Sequence, residues 1–174
     1  MTSIIIDVDN IHMRVIFLTD EITLLLFFII WPLIQVGGAL IALYLPDKFY
    51  SNQKFPFKTY KFERNGHIYQ TLFRVKKWKH LLPDGASVWK KRGYQKKNIN
   101  SFEVDNLKKF IIESCRAEMA HIIPILFFWV FFLITTPLIT WIMLGYSLIV
   151  NLPCMIVQRY NRPRVESLLT SKTN

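Results

Sequence analysis

The feature that most constrains this chain is a run of forty residues, Met119 to Gln158, without a single Lys, Arg, Asp or Glu. As one α-helix these residues would be about 60 Å long, twice the roughly 30 Å hydrocarbon core of a bilayer. Two spans joined at Thr135-Thr136-Pro137 fit that length. The alternative is a soluble all-α core, and an uncharged run this long argues against it. The run therefore predicts two membrane-spanning helices.

A second uncharged stretch, Ile22 to Leu45, has twenty-four residues and is long enough for one tilted span. The expected fold is an all-α integral membrane protein with about three transmembrane helices and a basic, membrane-associated loop that contains an amphipathic helix. The expected segments are an N-terminal tail (1–21), span one (22–45), a basic region (46–118), span two (119–135), span three (136–158) and a basic tail (159–174).

The distribution of charge predicts the orientation of these spans. Residues 1–21 hold one basic and four acidic side chains, residues 46–118 hold seventeen and seven, and residues 159–174 hold four and one. Lys and Arg accumulate on the cytoplasmic side of membranes. We therefore expect a multi-pass protein with its N-terminus outside and its main loop and C-terminus in the cytoplasm.

The basic loop contains signals for a turn and for an interfacial helix. Asn65-Gly66 is a strong turn signal, and residues 57–62 before it read as a short strand. From Ile68 apolar residues recur at helical spacing among Arg and Lys, which predicts a basic amphipathic helix ending near Leu82. A β-hairpin about the Asn-Gly turn remains open as an alternative.

The end of that helix carries one candidate catalytic pair. Trp78 and His80 precede a Pro-Asp-Gly turn that contains Asp84. A carboxylate beside an imidazole fixes its tautomer, which suits general-base catalysis. The alternative is a surface histidine next to a turn. Residues 88–100 then supply five cations, expected either to rest on lipid head groups or to attract a phosphorylated acyl donor. Nucleic acid is not expected, because no nucleic-acid-binding motif accompanies the charge.

The mouth of the second span carries the other candidate pair. Ser101 is a plausible N-cap for a helix in which Glu118 and His121 share one side. Glu118 is expected to accept a hydrogen bond from His121, and Arg116 to lie on another side. Ionisable groups at this depth are costly unless they pair or line a wet cavity. A cluster that merely lies among head groups is the alternative to an active site.

The chain closes with three arginines in six residues, at positions 159, 162 and 164. Guanidinium groups of this density can bind lipid phosphate or donor phosphates. Tyr160 and Asn161 add hydrogen-bonding groups that anchoring alone does not require. Pro163 is expected in the first turn of a short terminal helix.

These blocks together resemble one enzyme family. The residues are Lys77-Trp78-Lys79-His80 with Asp84-Gly85, Ile111-Ile112-Glu113 with Arg116-Ala117-Glu118 and His121, and residues 157–164, Val-Gln-Arg-Tyr-Asn-Arg-Pro-Arg. They are similar to the glycosyl-4,4′-diaponeurosporenoate acyltransferases, small bacterial membrane enzymes of staphyloxanthin synthesis. The resemblance covers roughly residues 40–170.

The resemblance implies transfer of a fatty acyl chain to the sugar hydroxyl of a glycosylated carotenoid in a bacterial cell membrane. It implies an acyl thioester as co-substrate, carried by coenzyme A or acyl carrier protein. No bound cofactor or metal is expected. The partners would be membrane lipid, the glycosylated acceptor and other enzymes of the carotenoid pathway.

Under that reaction the candidate residues take definite roles. His121 with Glu118 is the first choice of base, and His80 with Asp84 is the second. Donor and substrate binding is expected from Arg116, Trp78, Arg159, Tyr160, Asn161, Arg162 and Arg164. Another lipid or glycolipid transferase, a methyltransferase and a non-catalytic membrane adaptor remain as alternatives.

Overall fold

The computed structural model of the chain describes residues 15, 16, 18–82 and 103–173. Within those residues the protein is helical and has no strand. Its α-helices, numbered here in chain order, are α1 (Asp20–Tyr44), α2 (His67–Phe73), α3 (Val75–Trp78), α4 (Val104–Leu126) and α5 (Pro137–Thr173). Short 3₁₀ segments lie at Asp47–Phe49, Lys61–Gly66, Lys79–Leu81 and Phe127–Leu133.

Three helical segments are long and apolar enough to cross a membrane: α1, Val104–Leu133 and α5. This confirms the predicted fold class. At the start of the bundle, the backbone N–H groups of Val15 and Ile16 donate to the carbonyl of Leu133, at 3.1 and 2.9 Å. The beginning of α1 and the turn before α5 therefore share one end of the bundle. Residues 46–82, 103–118 and 159–173 gather at the other, which we call the basic end.

Close contacts hold α1 against the other two long helices. A Cβ atom at Gly38 would lie 3.0 Å from Cδ of Pro124, so the glycine lets α1 approach α4. Trp31 is buried, with its ring 6.4 Å from that of Phe131 and 5.2 Å from that of Tyr146. Small residues and tight packing are what associate helices in lipid, where burying apolar surface gains little.

At the basic end α4 and α5 continue past the predicted spans and pack on each other. Their shared apolar core consists of Leu107, Phe110, Ile111 and Val165, with Leu169 beside it. The expectation of a separate terminal helix at Pro163 is wrong, because α5 runs through Pro163 to Thr173. Pro163 has no backbone N–H group and makes no backbone hydrogen bond as a donor in the helix. In the same turn, Nη1 of Arg164 donates a hydrogen bond to the Tyr160 carbonyl. The limits of the membrane-embedded segments remain predictions.

The predicted amphipathic helix of the loop is broken into two. Arg74 has φ 50° and ψ 44°, the left-handed conformation, so α2 ends at Phe73 and α3 starts at Val75. Side chains hold this break: Oε1 of Gln70 accepts from the Lys76 N–H at 3.0 Å, and Nε1 of Trp78 donates to the Phe73 carbonyl at 2.7 Å. Helical periodicity is therefore real here, but local side-chain to backbone hydrogen bonds hold the bend in the helix.

The turn at Asn65-Gly66 is confirmed, and the strand before it is wrong. Asn65 and Gly66 have φ of 52° and 79°, and a Cβ at Gly66 would lie 2.6 Å from the Tyr160 carbonyl oxygen. Phe57 ends a turn, residues 58–60 are irregular, and Lys61 and Phe62 begin the 3₁₀ segment, so residues 57–62 are not a strand of a hairpin. The left-handed turn seats the loop directly on α5.

Candidate functional site

Two arginines of α5 hold three consecutive carbonyl groups of the loop. Arg159 donates from its two terminal nitrogens to the carbonyls of Pro56 and Lys58, the latter at 3.1 Å. Arg162 donates from Nη1 to the Phe57 carbonyl at 2.7 Å. Backbone carbonyls buried outside a helix or sheet need donors, and the two guanidinium groups supply them. The loop is therefore bound to α5 through its backbone.

The same arginines meet two buried carboxylates. Arg159 contacts Oε1 of Glu118 at 2.7 Å and Oε1 of Glu63 at 2.9 Å. Arg162 forms an ion pair with Oε2 of Glu118 and also donates from Nε to the Ser114 hydroxyl at 3.2 Å. Glu63, Glu118 and Arg162 are all about 1% exposed as side chains. Two positive and two negative charges thus balance in a site shielded from water, as buried ion pairs require.

This network changes the expected role of three residues. Both oxygens of Glu118 accept hydrogen bonds from arginines. The contact expected between Glu118 and His121 is replaced by one between Asn151 and His121. Arg162 is buried and directs its donors to protein atoms. Arg159 likewise directs its donors to protein atoms, including the loop carbonyls of Pro56 and Lys58. We therefore regard the arginine pair as a structural clamp of the basic end.

Tyr69 of α2 lies beside this network. Burial, and then the negative charge of Glu63, raise the pKa of Tyr69 to about 12. A phenol with so high a pKa stays protonated and acts as a hydrogen-bond donor at neutral pH.

His121 is paired with Asn151 of α5, which sequence analysis did not identify. Nδ1 of His121 lies 2.9 Å from Oδ1 of Asn151. Nδ2 of Asn151 donates to the Ser147 carbonyl at 2.9 Å, and Asn151 is fully buried. The amide N–H group is therefore committed to the helix, and its oxygen faces the imidazole. That oxygen only accepts, so the contact requires the proton of neutral His121 to be on Nδ1.

This choice of tautomer has a chemical consequence. With Nδ1 protonated, Nε2 of His121 carries the lone pair, as a general base requires. His121 follows Glu118 by three residues in α4, about 4.5 Å further along the axis and away from the basic end. The imidazole thus lies just beyond the charged network, where the uncharged part of the helix begins.

Arg116 lies outside the clamp. Its guanidinium pairs with Glu113, three residues earlier in α4, and with Asp47 at the start of the loop. It also lies 5.0 Å from the ring of Tyr50. Arg116 therefore ties the start of the loop to α4, and its part in binding substrate stays a prediction.

A second group of residues forms a cation cluster beside α5, defined as Lys76 and Lys79 of the loop with Tyr160, Asn161 and Arg164 of α5; only the three α5 residues were predicted for the site. The guanidinium of Arg164 lies 3.6 Å from the centre of the Tyr160 ring, and Nζ of Lys79 lies 5.1 Å from it. Nζ of Lys79 is also 3.5 Å from Oδ1 of Asn161. Burial, followed by the charges of Arg164 and Lys76, lowers the pKa of the Lys79 ammonium.

The second candidate base lies beside this cluster. His80 is exposed in the 3₁₀ segment that follows α3, next to Lys79. Its expected partner Asp84, the cations at positions 90–97 and the Ser101 cap lie outside the described residues. Trp78 is half-buried and faces α5 across an apolar groove. The structure thus places His80 and His121 on different sides of α5.

Two partners of the predicted site residues were missed: Asn151, which contacts His121, and Glu63, which pairs with Arg159. Asn151 gives no local signal of its function, because its pairing with His121 joins residues thirty positions apart. A polar amide inside an uncharged span was the available clue, since such groups are usually functional. Glu63 was missed for a different reason: in sequence it looks like an ordinary charge of the loop, and only folding buries it.

Over the described residues, the fold and the site define a helical protein with three helices long and apolar enough to cross a membrane and a buried polar site at the end of two of them. The family model of glycosyl-4,4′-diaponeurosporenoate acyltransferases matches residues 46–171. Proteins of that name from Staphylococcus aureus are similar: that of strain MRSA252 is 35% identical over 80% of this chain and 83% of its own, and that of strain N315 is 36% identical over the same shares. No solved structure matches the chain.

The chain therefore belongs to the glycosyl-4,4′-diaponeurosporenoate acyltransferase family and is an acyltransferase. This confirms the resemblance found in the sequence. It also decides against the methyltransferase and the non-catalytic adaptor. The clamp, the His121–Asn151 pair and the cation cluster all lie within the matched residues.

Proposed function

We propose that this protein esterifies a fatty acyl chain onto a sugar hydroxyl of a glycosylated carotenoid at the cytoplasmic surface of a bacterial membrane. Family membership supports the class of reaction, because the relatives are named for acyl transfer to glycosyl-4,4′-diaponeurosporenoate. The observation that carries the proposal is the pairing of His121 with buried Asn151. As a base, His121 would be held in one orientation at the level where a lipid-linked sugar would leave the bilayer.

The proposed reaction uses an acyl thioester, of coenzyme A or acyl carrier protein, as the donor. Nε2 of His121 removes the proton from the sugar hydroxyl as its oxygen attacks the thioester carbonyl. The tetrahedral intermediate collapses, the carbon–sulfur bond breaks, and the imidazolium returns its proton to the leaving thiolate. The products are an ester and a free thiol, so atoms and charges balance. The Asn151 oxygen stabilises the imidazolium while that proton is held.

The charge distribution supports the proposed orientation. Residues 46–118 and 159–174 carry twenty-one of the twenty-two Lys and Arg residues of the chain, so the basic end would face the cytoplasm, with the N-terminus outside. An acyl thioester made in the cytoplasm would then reach the site directly. The acceptor would enter from the bilayer, where other enzymes of the carotenoid pathway release it.

His80 is the second candidate for the base, because it lies next to the cation cluster. Acyl transfer from labelled acyl-CoA to a glycosylated carotenoid, measured with purified protein in detergent, separates the two. We expect His121→Ala to lower kcat about 10²- to 10⁴-fold, the usual contribution of a general base. Asn151→Ala should lower kcat by a smaller factor, because the ring remains but is no longer oriented. His80→Ala serves as the matched histidine control.

The outcome is decisive in either direction. A near wild-type rate for His121→Ala would eliminate His121 as the base, and a loss confined to His80→Ala would transfer that role. If all three variants keep the rate, neither His121 nor His80 is the base. Circular dichroism of each variant establishes that a loss of activity is not a loss of fold.

A further inference from the structure

The outer side of α5 carries an apolar groove of about 450 Å³. Five residues of α5 form its floor, and Phe73 and Trp78 of the loop helices form its other wall: the α5 residues are Leu148, Ile149, Leu152, Pro153 and Ile156. The groove is thus a recess between a predicted span and the loop that covers it. Its volume lies within the range of small-molecule sites.

The cation cluster continues this groove toward the basic end. Ile156, Tyr160 and Arg164 follow one another at intervals of four residues, so they lie on one side of α5. Each step is about 6 Å along the helix axis. The apolar floor therefore passes directly into a polar, positively charged surface. Lys79 joins the two parts, since it follows Trp78 in the chain and contacts Tyr160 and Asn161.

We propose that this surface binds one anionic phospholipid of the cytoplasmic leaflet. One acyl chain lies in the groove, and the phosphate is held between the ammonium of Lys79 and the guanidinium of Arg164. Stacking on Tyr160 presents the guanidinium edge, which has the fork geometry that phosphate oxygens accept. Lys76 adds a third positive charge. A phosphate is the partner that this group of like charges lacks within its own cluster.

The position of the surface favours a bilayer lipid over the acyl donor. Nine residues, or about two and a half helical turns, separate Asn151 from Tyr160, so they lie on opposite sides of α5. A donor held here would have its thioester on the side away from His121. The α5 residues of the groove fall inside the predicted third span, where lipid chains are the neighbouring molecules. The bound lipid would hold the loop helices against α5 and would be distinct from the reacting substrates.

Native mass spectrometry of the full chain in neutral detergent tests the proposal. The probe is a phosphatidylglycerol, and the comparison is a phosphatidylcholine with the same acyl chains. We expect tighter binding of the phosphatidylglycerol, and a loss of about fivefold for each of K79Q and R164Q, equivalent to about 1 kcal/mol per basic residue. K54Q removes an exposed cation of the loop away from the cluster and should leave binding unchanged.

A second pair of variants tests the groove without altering charge. L152W fills the groove and should weaken binding, whereas L138W, at an exposed apolar position near the start of α5, should not. Equal binding of the two lipids, or full binding by both K79Q and R164Q, would overturn the proposal. Displacement of the phosphatidylglycerol by stoichiometric palmitoyl-CoA would also overturn it and would return the surface to the acyl donor. Circular dichroism shows whether each variant is folded.

Discussion

Replacing Arg162 by alanine tests whether the clamp of the basic end is structural. The change removes donors to the Phe57 carbonyl at 2.7 Å and the Ser114 hydroxyl at 3.2 Å, and removes one of the two arginines on Glu118. Taking one partner from a buried ion pair costs about 3–5 kcal/mol, because the other charge remains buried. For a chain of this size that loss corresponds to a fall in melting temperature of roughly 10–15 °C.

Arg164→Ala is the matched control. It deletes another arginine of the same helix, but one that is only partly buried and stacks on Tyr160. The expected loss is about 1 kcal/mol. Arg162→Lys should fall between the two, because it keeps the charge and loses the fork of donors. Combining Arg162→Met with Glu118→Gln should recover part of the loss, since no uncompensated carboxylate remains on Glu118.

The assay is thermal unfolding of purified protein in detergent, followed by circular dichroism. Equal melting temperatures for Arg162→Ala and Arg164→Ala would refute the structural reading of the clamp. A stable Arg162→Ala protein with a raised KM for the acyl donor would instead support the phosphate-binding role that the sequence first indicated. The two explanations of Arg162 therefore give opposite results in stability and in kinetics.

Three further outcomes follow from local geometry. Gly38→Ala should destabilise the packing of α1 on α4, because the new Cβ would lie 3.0 Å from Pro124. Gly37→Ala, whose Cβ would have nothing within 4 Å, should be neutral or slightly stabilising in the same melting assay. Gly66→Ala should cost about 1–2 kcal/mol through its positive φ alone, and a melting temperature equal to wild type would contradict the seating of the turn on α5. Burial raises the pKa of Tyr50 to about 12, above the value of about 10 that the side chain has in the unfolded chain. The contribution of Tyr50 to stability is therefore complete below pH about 10 and is lost as the pH rises toward 12. Tyr50→Phe should remove its part of that alkaline loss, which melting curves between pH 8 and 12 would detect.

The residues that face lipid could be read from the sequence because they follow a local rule. A helix that crosses a bilayer satisfies its backbone internally and must be uncharged for about twenty residues. The run from Met119 to Gln158 therefore predicted two spans before any contact was known. The turn before Pro137 followed from the same length argument. Asn65-Gly66 predicted a turn because left-handed backbone favours those two residues.

The loop shows where such local rules stop. Apolar spacing predicted one helix from Ile68 to near Leu82, and the spacing persists in the structure. The break at Arg74 depends on contacts that Gln70 and Trp78 make with the backbone across the bend. The absence of a strand over residues 57–62 has a long-range cause, since the carbonyls of Phe57 and Lys58 are held by arginines of a distant helix.

The sequence by itself determined the membrane class, the number of apolar helices, the end of the bundle that carries positive charge and the enzyme family. These properties depend on composition and on residues close in the chain. The tertiary structure decided which polar side chains contact one another. Glu118 lies one turn from His121, yet it pairs with two arginines more than forty positions away in the chain. The residue that contacts and orients His121 is Asn151. Opposite charges attract most strongly where water is excluded, and only the folded chain provides such an environment.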